Sequence, residues 1–361
     1  MLAILALLFI CTPALARTGP FIIGADISWI PEDEAEGATY WDNGQQTDIF
    51  QILKNHGFNY IRLRVFVDPH SERGYARFRN EAFCDLEHTK AMAKRIKAAG
   101  MGFLLDFHYS DNWADPGKQV KPLAWEKMSV EQMTEGLRKH THDVVLALKE
   151  EGTPPDVVQI GNEITNGMLW PDGDLKHLDN LATFVKAGIS AVREIDPSIK
   201  ICLHHDKGRI SEQVCWWMDE LLKRGVQFDI IGLSCYAQAN EGDWKKTLDE
   251  LPKRYPSYDI LIAEYSNRKR FVNDLAFENP KCLGTFIWEP TRHKEAIFDV
   301  NGRNAGEGQF YDLTSTQPAT PTSRPTTRPT TRPRRMNHGG RYETNSLIRL
   351  YDEMSKAYGN N

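Results

Sequence analysis

The stretch DVVQIGNE, residues 156–163, is a short apolar segment that ends in an asparagine and a glutamate. A second stretch, DILIAEYS at 259–266, has the same form and also carries a glutamate near its end. Apolar segments of this length are typical of strands that are covered on both faces, as in parallel sheets. Both stretches therefore predict buried parallel strands with polar side chains at the carboxyl end.

Eight segments of this form occur along the chain, and an amphipathic helix is predicted after each one. The predicted strands are 21–28, 60–67, 102–109, 156–163, 200–206, 229–236, 259–266 and 282–289. The predicted helices are 47–56, 85–99, 129–151, 175–195, 211–224, 243–254, 269–278 and 345–358. Ser129 and Ser211 suit the position just before a helix. Eight strand–helix repeats predict an α/β protein with a closed (β/α)8 TIM barrel.

A doubly wound open sheet is the competing architecture for the same repeats. Such a sheet binds ligands at one switch point of its strand order, whereas polar residues here follow at least seven strands. The sequence contains neither G-x-G-x-x-G nor G-x-x-x-x-G-K-[ST], so dinucleotide and P-loop nucleotide binding have no support. We therefore favour the closed barrel.

The composition is that of a folded, slightly acidic protein. The 361 residues include 44 Lys and Arg against 49 Asp and Glu, which gives a formal net charge of −5. Because nucleic-acid-binding proteins usually have a basic balance, no nucleic-acid partner is expected. The 9 Trp, 12 Tyr and 16 Phe exclude wholesale disorder. Nothing in the sequence argues for an oligomer, and we expect a monomer.

Two segments stand outside the strand–helix pattern. Residues 2–10, LAILALLFI, are too few to span a bilayer, and the small residues ALA at 14–16 follow as a cleavage site. We expect residues 1–16 to be a signal peptide and the mature chain to be secreted, into the extracellular space or the periplasm, and free of the membrane, with an uncleaved anchor as the alternative. Residues 314–337 contain PTSRPTTRPTTRP and predict a disordered Thr/Pro/Arg-rich insertion between strand 8 and helix 8.

Five cysteines would remain after cleavage, and their spacings match no zinc site. We expect buried free thiols, with one disulfide as the alternative in an oxidising compartment. These cysteines are Cys84, Cys202, Cys215, Cys235 and Cys282.

The active site of a (β/α)8 barrel is built from the carboxyl ends of its strands, and acids, amides and aromatics dominate those ends here. Glycoside hydrolysis needs two carboxyl groups that flank one bond, and Glu163 and Glu264 are the best pair. Their strands, 4 and 7, lie across the barrel mouth and can bring the carboxyl groups to about 5 Å, the separation of retaining enzymes. A salt bridge to an arginine is the alternative for either glutamate alone.

The same geometry suggests roles for neighbouring side chains. Arg64 is expected to hold a carboxylate nucleophile ionised, and Tyr236 to donate to the same carboxylate. Asn162 is expected to bind the sugar hydroxyl next to the anomeric carbon. For Arg62 we favour ion pairing inside the barrel, and for His204 a structural or substrate-binding role ahead of metal ligation. The tryptophans with flat faces for sugar rings are Trp113, Trp125 and Trp288.

Five stretches together resemble glycoside hydrolase family 53, the secreted endo-β-1,4-galactanases of clan A. The most specific is LDFHYSDNWADPGKQVKPLAW at 105–125. The others are GADIS at 24–28, NYIRLRVFVDP at 59–69, VQIGNEITNGMLWP at 158–171 and FIWEP at 286–290. The resemblance covers most of residues 21–312 and implies an enzyme that cleaves β-1,4-galactan side chains of pectin with retention of configuration. We expect a single catalytic domain over residues 17–361.

The resemblance also implies roles for individual residues. It makes Glu163 the acid/base and Glu264 the nucleophile, and it puts Trp288 at the floor of the site. Residues expected to bind substrate or support these two are Asp26, Arg64, Asp106, His108, Asp111, Trp113, Asp115, Asn162, His204, Tyr236 and Trp288. The expected partner is a polysaccharide.

Three features depart from the family pattern. Only 17 residues separate Glu264 from Cys282, a region that is long in many bacterial members and can carry calcium there. No matching calcium ligands are seen, so no metal or cofactor is expected. The sequence AEYS replaces the usual Glu-Thr after strand 7, and the insertion at 314–337 has no counterpart.

The sequence is also compatible with three other functions. Another clan A β-glycanase, of mannanase or cellulase type, would share the two glutamates. A carbohydrate-binding barrel without activity would be expected to have lost one of them. A metal-dependent barrel hydrolase is suggested by His108, His204, His205 and Asp206, although strand 1 lacks the His-x-His that such enzymes usually need.

Overall fold

The computed structural model describes residues 17, 19–79, 81–236, 241–293, 295–300, 303–304 and 339–360. The expected signal peptide, 1–16, and the expected insertion, 314–337, lie outside the described residues.

Eight parallel strands form a closed barrel in which neighbours in the sequence are neighbours in space and the last strand pairs with the first. The strands are β1 (Ile22–Asp26), β2 (Tyr60–Val65), β3 (Gly102–Phe107), β4 (Val157–Ile160), β5 (Lys200–His205), β6 (Ile230–Ser234), β7 (Asp259–Tyr265) and β8 (Cys282–Trp288). The predicted TIM barrel is confirmed, and each predicted strand contains one of these eight.

A helix follows each barrel strand, as predicted. The helices are α1 (Ile49–Asn55), α2 (Leu86–Ala98), α3 (Val130–Glu150), α4 (Leu178–Ile195), α5 (Ser211–Lys223), α6 (Glu241–Arg254), α7 (Lys269–Glu278) and α8 (Arg349–Ala357). Ser129 caps α3 through a capping box with Gln132. The expectation for Ser211 is wrong by one position, because Ser211 is the first residue of α5 and Ile210 is its cap.

Inside the barrel, the side chains change from apolar to polar along each strand. The lower interior is a buried apolar cluster of Leu104, Val157, Cys202, Ile230, Leu261 and Phe286. Side chains two residues apart on a strand share a face. Above Leu104, Val157, Cys202 and Phe286, the inward face therefore carries Asp106, Gln159, His204 and Trp288. A larger apolar core fills the space between the strands and the helices.

The sequence pattern missed a small sheet beside the barrel. Its strands, in order, are Arg303–Asn304, Phe298–Val300, Gly340–Thr344, Ala38–Asp42 and Gln45–Gln46. Through this sheet the segment before α8 pairs with the segment after β1. The remaining short elements are the helix Ile30–Ala35, the hairpin Gly167–Met168 with Gly173–Asp174, and 3₁₀ turns at Leu123–Trp125, Ile164–Asn166 and Ser346–Ile348.

The structure shows the state of the five cysteines and the character of the helices. Cys84, Cys202, Cys215, Cys235 and Cys282 are free and buried, so the expectation of buried thiols is confirmed. Within the described ranges, no helix has the length and apolar character needed to cross a membrane.

His205 makes the stability of the barrel depend on pH. It is 1% exposed, its ring lies 5.3 Å from the ring of Trp217 on α5, and its Nδ1 accepts a bond from the N–H of Lys207 at 3.1 Å. Burial lowers the pKa of His205 to about 4. Between pH 6.5 and 4, His205 therefore binds a proton in the unfolded chain but not in the folded one. The free energy of unfolding decreases as the pH falls through this window.

We expect His205→Asn to flatten this pH dependence. Asparagine can accept the same N–H bond but does not titrate. Between pH 7.5 and 4, the wild type should lose about 3 kcal/mol more free energy of unfolding than the variant. Urea unfolding at both pH values measures the difference. Parallel losses in the two proteins would contradict it, whatever the variant's stability at pH 7.5.

Candidate active site

The polar upper interior of the barrel is organised around one buried arginine. Arg62 on β2 donates to Asp26 of β1, Asp106 of β3 and Glu264 of β7, each at 2.8 Å, and to Asn162 at 2.9 Å. Burial acts to lower the pKa of Arg62, but the three carboxylates outweigh it and raise that pKa. Arg62 therefore keeps its charge and holds together side chains of β1, β3 and β7 and that of Asn162, which lies just after β4.

The expectation that Arg64 contacts Glu264, the glutamate expected to be the nucleophile, is wrong. Arg62 contacts Glu264, whereas Arg64 donates to Glu289 at 2.9 Å and stacks on Trp29, with 4.6 Å from its guanidinium carbon to the ring centroid. Both arginines face inward, but Arg64 lies one layer nearer the mouth, where the segment after β8 crosses. Burial raises the pKa of Glu289 to about 8, even though Arg64 acts against it.

Glu264 lies between a cation and a phenol. Its Oε1 accepts from Arg62 at 2.8 Å, and its Oε2 accepts from the hydroxyl of Tyr236 at 2.7 Å. The contact expected for Tyr236 is therefore present. Burial raises the pKa of Glu264, and Arg62 and then Tyr236 oppose that rise. Both donors favour the ionised carboxylate.

Glu163 lies in a different environment. The backbone turns sharply after β4, with φ of +83° at Gly161 and +46° at Glu163 itself, a conformation that few residues other than glycine adopt. The Glu163 Oε1 accepts from the hydroxyl of Ser234 at 2.6 Å. Burial raises the pKa of Glu163 well above its ordinary value, and the charges of Glu264 and Asp206 add to the rise.

The two glutamates therefore differ in proton affinity. A neutral hydroxyl supports Glu163, whereas a guanidinium and a phenol support Glu264. Since charge-assisted hydrogen bonds are stronger than neutral ones, the pair keeps its proton on Glu163 as the pH rises. Two carboxyl groups with separated proton affinities are suited to acid–base and nucleophilic roles.

Asp106 and His108 support the floor of this arrangement. The Nε2 of His108 lies 2.9 Å from Asp106 Oδ2, and its Nδ1 accepts from the N–H of Ala114 at 3.0 Å, so the Nε2 carries the proton. Burial acts to raise the pKa of Asp106, but Arg62 and His108 lower it below the ordinary value. Asn162 also bonds Ala114, through its amide nitrogen at 2.9 Å. Its bond to a sugar hydroxyl stays a prediction.

Around the mouth, Asp111 fastens two loops together. Its Oδ1 accepts from the N–H of Asp68 at 3.1 Å, and its Oδ2 accepts from Ser71 at 2.6 Å and from the N–H of Leu123 at 2.8 Å. Both oxygens are thus engaged by the chain. Asp111 fixes the loops after β2 and β3 instead of presenting a free oxygen to the cleft.

Three further residues that the sequence predicted for the site are more accessible than Asp111. The ring of Trp113 lies 5.0 Å from that of Trp29, over Arg64. Trp288 is half-buried at the end of β8, with its ring edge-on to His293 at 4.5 Å. Asp115 is paired with Lys118 at 3.1 Å. Their contacts with substrate stay predictions.

Ser234 and Gln159 are site residues that the sequence reasoning missed. Ser234 bonds Glu163, and Gln159 donates to Asp106 at 2.6 Å. A signal was present in both cases. Ser234 shares a strand face with Tyr236 by period two, and Gln159 is the one polar residue in the run VVQI. Buried polar residues in apolar strands require partners.

The residues described by the structure contain no group of three or more His, Cys, Asp and Glu side chains arranged to hold a metal ion. His204, one of the histidines behind the metal hypothesis, has Asn162 and Ser234 as hydrogen-bonding neighbours at 3.0 and 2.9 Å.

A family model described as glycosyl hydrolase family 53 matches residues 22–279 of this chain. The chain belongs to glycosyl hydrolase family 53. The predicted family is thereby confirmed, and with it the predicted class of enzyme, a glycoside hydrolase.

Related proteins and structures agree with family 53 membership. An arabinogalactan endo-β-1,4-galactanase of Cellvibrio japonicus is 33% identical over 335 residues, which are 89% of this chain and 78% of that protein. One from Aspergillus niger is 35% identical over 84% of this chain and 88% of its own length. An uncharacterized protein of Niallia circulans is 45% identical, but the match spans only 62% of its length and 64% of this chain.

Two solved structures have the same barrel. The family 53 catalytic domain of Ignisphaera aggregans superposes with a TM-score of 0.72 at 33% identity, covering 80% of this chain and 94% of that one. A structure from work on two fungal β-1,4-galactanases gives a TM-score of 0.69 at 29% identity, covering 76% and 90%.

Proposed function

We propose that this family 53 enzyme is a secreted, retaining endo-β-1,4-galactanase that acts on the galactan side chains of pectin. The observation that carries the proposal is the unequal pair of buried glutamates. Glu163 is held by a serine hydroxyl, and Glu264 is held by Arg62 and Tyr236. The choice of galactan is supported by the names of the Cellvibrio and Aspergillus relatives.

In the proposed first step, protonated Glu163 gives its proton to the glycosidic oxygen. At the same time the carboxylate of Glu264 forms a bond to the anomeric carbon, and the bond from that carbon to the leaving oxygen breaks. The leaving sugar departs as an alcohol, and Glu163 becomes a carboxylate. Arg62 and Tyr236 keep Glu264 ionised and aimed until it attacks.

In the second step, Glu163 acts as a base. It takes a proton from a water molecule whose oxygen attacks the anomeric carbon from the face that the leaving sugar vacated. The bond to Glu264 breaks and returns its electron pair to the carboxylate. Two inversions give net retention, and both glutamates regain their starting protonation states.

Secretion is supported by the sequence alone. The apolar run at 2–10 and the small residues at 14–16 have the form of a cleaved export signal.

The test is reducing-sugar release from purified β-1,4-galactan, beside mannan, xylan and carboxymethyl-cellulose. We expect hydrolysis of galactan alone, with the β-anomer of each new reducing end appearing first in proton NMR. Activity on one of the other three polymers instead would show that the proposed substrate is wrong. If the α-anomer appears first, the enzyme inverts the configuration and the proposed retention is wrong. If the folded protein leaves all four intact, the proposed galactanase function is wrong.

A further inference from the structure

We propose that Ser234 is a positioning residue that orients the carboxyl group of Glu163 for proton transfer, with His204 holding the serine hydroxyl from behind. The inference rests on the function proposed above, because it concerns how Glu163 gives up and recovers its proton. It assigns a task to two buried side chains that the two-glutamate mechanism does not otherwise use.

The three side chains form one continuous line. Ser234 is the last residue of β6 and is 1% exposed, and its hydroxyl donates to Glu163 Oε1 at 2.6 Å. The Nε2 of His204, on neighbouring β5, lies 2.9 Å from the same hydroxyl oxygen. His204 is fully buried, so the line has no contact with solvent at its inner end.

The neighbours of His204 decide the direction of these hydrogen bonds. Burial and the charge of Arg62 lower the pKa of His204 well below its ordinary value, so the ring is neutral and carries one proton. Two donors approach its Nδ1, the N–H of Glu163 at 3.4 Å and the amide of Gln159 at 3.2 Å. One acceptor, Asn162 Oδ1 at 3.0 Å, favours the opposite arrangement. The N–H of Glu163 can only donate, and Asn162 Oδ1 already accepts from Arg62 at 2.9 Å, so we place the proton of His204 on Nε2.

With that proton on Nε2, the serine can point only one way. The Nε2–H of His204 occupies one lone pair of the Ser234 oxygen, and the hydroxyl hydrogen has Glu163 Oε1 as its acceptor. Since a carboxylic acid can accept on one oxygen while it carries its proton on the other, Ser234 keeps the transferable proton of Glu163 on Oε2.

The same bond eases the transfer of the proton from Glu163 to the leaving oxygen. A hydroxyl donates more strongly to a carboxylate than to a carboxylic acid, so Ser234 lowers the proton affinity that burial raises. The other titratable groups around Glu163 are Glu264 on β7, Asp206 after β5, Asp115 after β3, Tyr236 after β6 and His204 itself. The three acids act in the direction opposite to Ser234.

The test measures the hydrolysis of β-1,4-galactan by Ser234→Ala and by wild type over a range of pH. We expect kcat to fall by about 10- to 100-fold with little change in KM, and the basic limb of kcat/KM to move up by about one pH unit. In a Glu163→Ala background, on an aryl glycoside with an activated leaving group, the same substitution should cost less than about threefold, because it acts through Glu163.

Ser266→Ala is the matched control. Ser266 is another buried serine at this face, and within the described ranges its side chain forms no hydrogen bond to either glutamate. Its pH profile should coincide with that of wild type. An unmoved basic limb in Ser234→Ala, or an equal loss in the Glu163→Ala background, would overturn the inference. If Ser234→Ala does not fold, Ser234→Cys, which keeps a weak donor, should show the same shift at smaller size. Galactan hydrolysis by wild type tests the proposed function separately.

Discussion

Replacing Glu264 with alanine is expected to lower kcat on β-1,4-galactan by at least about 10⁴-fold. In the proposed mechanism this carboxylate forms the covalent bond to the sugar, and no other acid among the described residues has its pair of donors, Arg62 at 2.8 Å and Tyr236 at 2.7 Å. The shortened side chain also leaves a cavity beside the anomeric carbon. Stopped assays of reducing ends, with circular dichroism to establish folding, measure the loss.

Azide distinguishes a lost nucleophile from a damaged site. A small anion can enter the cavity of Glu264→Ala and attack an aryl glycoside with an activated leaving group, and we expect the α-glycosyl azide as the product. Glu289→Gln is the matched control, because Glu289 is a second buried glutamate with an arginine partner at this face. It should form no azide adduct. A β-azide from Glu264→Ala, or full activity without azide, would remove Glu264 from the nucleophile role.

The barrel could be predicted because one physical pattern specifies it eight times. Each apolar run has to be covered on both faces, and each following helix supplies that cover, so errors at single boundaries leave the fold unchanged. The small sheet was missed although its hairpin had a signal. Asn43-Gly44 adopts positive φ at both positions, 49° and 79°, as a tight hairpin turn requires. Its other strands come from distant parts of the chain, which no local pattern connects.

Most side chains of the candidate site could be named from the sequence. Which of them contact each other could not. Period two along β2 predicts that Arg62 and Arg64 both face inward, but which one reaches Glu264 depends on depth in the barrel. Depth follows from the stagger between strands and from the bulge near Ser234, where the register of β6 against β7 shifts. The same bulge pairs Ser234 with Glu264 in register. Such three-dimensional offsets are absent from any single strand's sequence.

Glu163→Ala should show a different kind of loss from that of Glu264→Ala. Removing the acid leaves the nucleophile intact, so the cost should follow the leaving group. We expect kcat/KM on galactan to fall by about 10²- to 10⁴-fold, because its leaving alcohol needs a proton. An aryl glycoside with an activated leaving group needs none, so its glycosylation step should stay close to the wild-type rate.

In Glu163→Ala the hydrolysis of the glycosyl-enzyme then becomes the slow step. The acid/base role of Glu163 can therefore be tested on the aryl glycoside, without the polymer. The glycosyl-enzyme should accumulate in Glu163→Ala, seen as a burst of aryl alcohol and as added mass on Glu264 in a peptide digest. Azide should relieve the block by attacking from the face opposite Glu264, which gives the β-glycosyl azide. Since Glu264→Ala should give the α-azide, the two variants form a pair with opposite products. The same azide anomer from both, or an equal loss on galactan and the aryl glycoside at the glycosylation step, would show that Glu163 is not the acid.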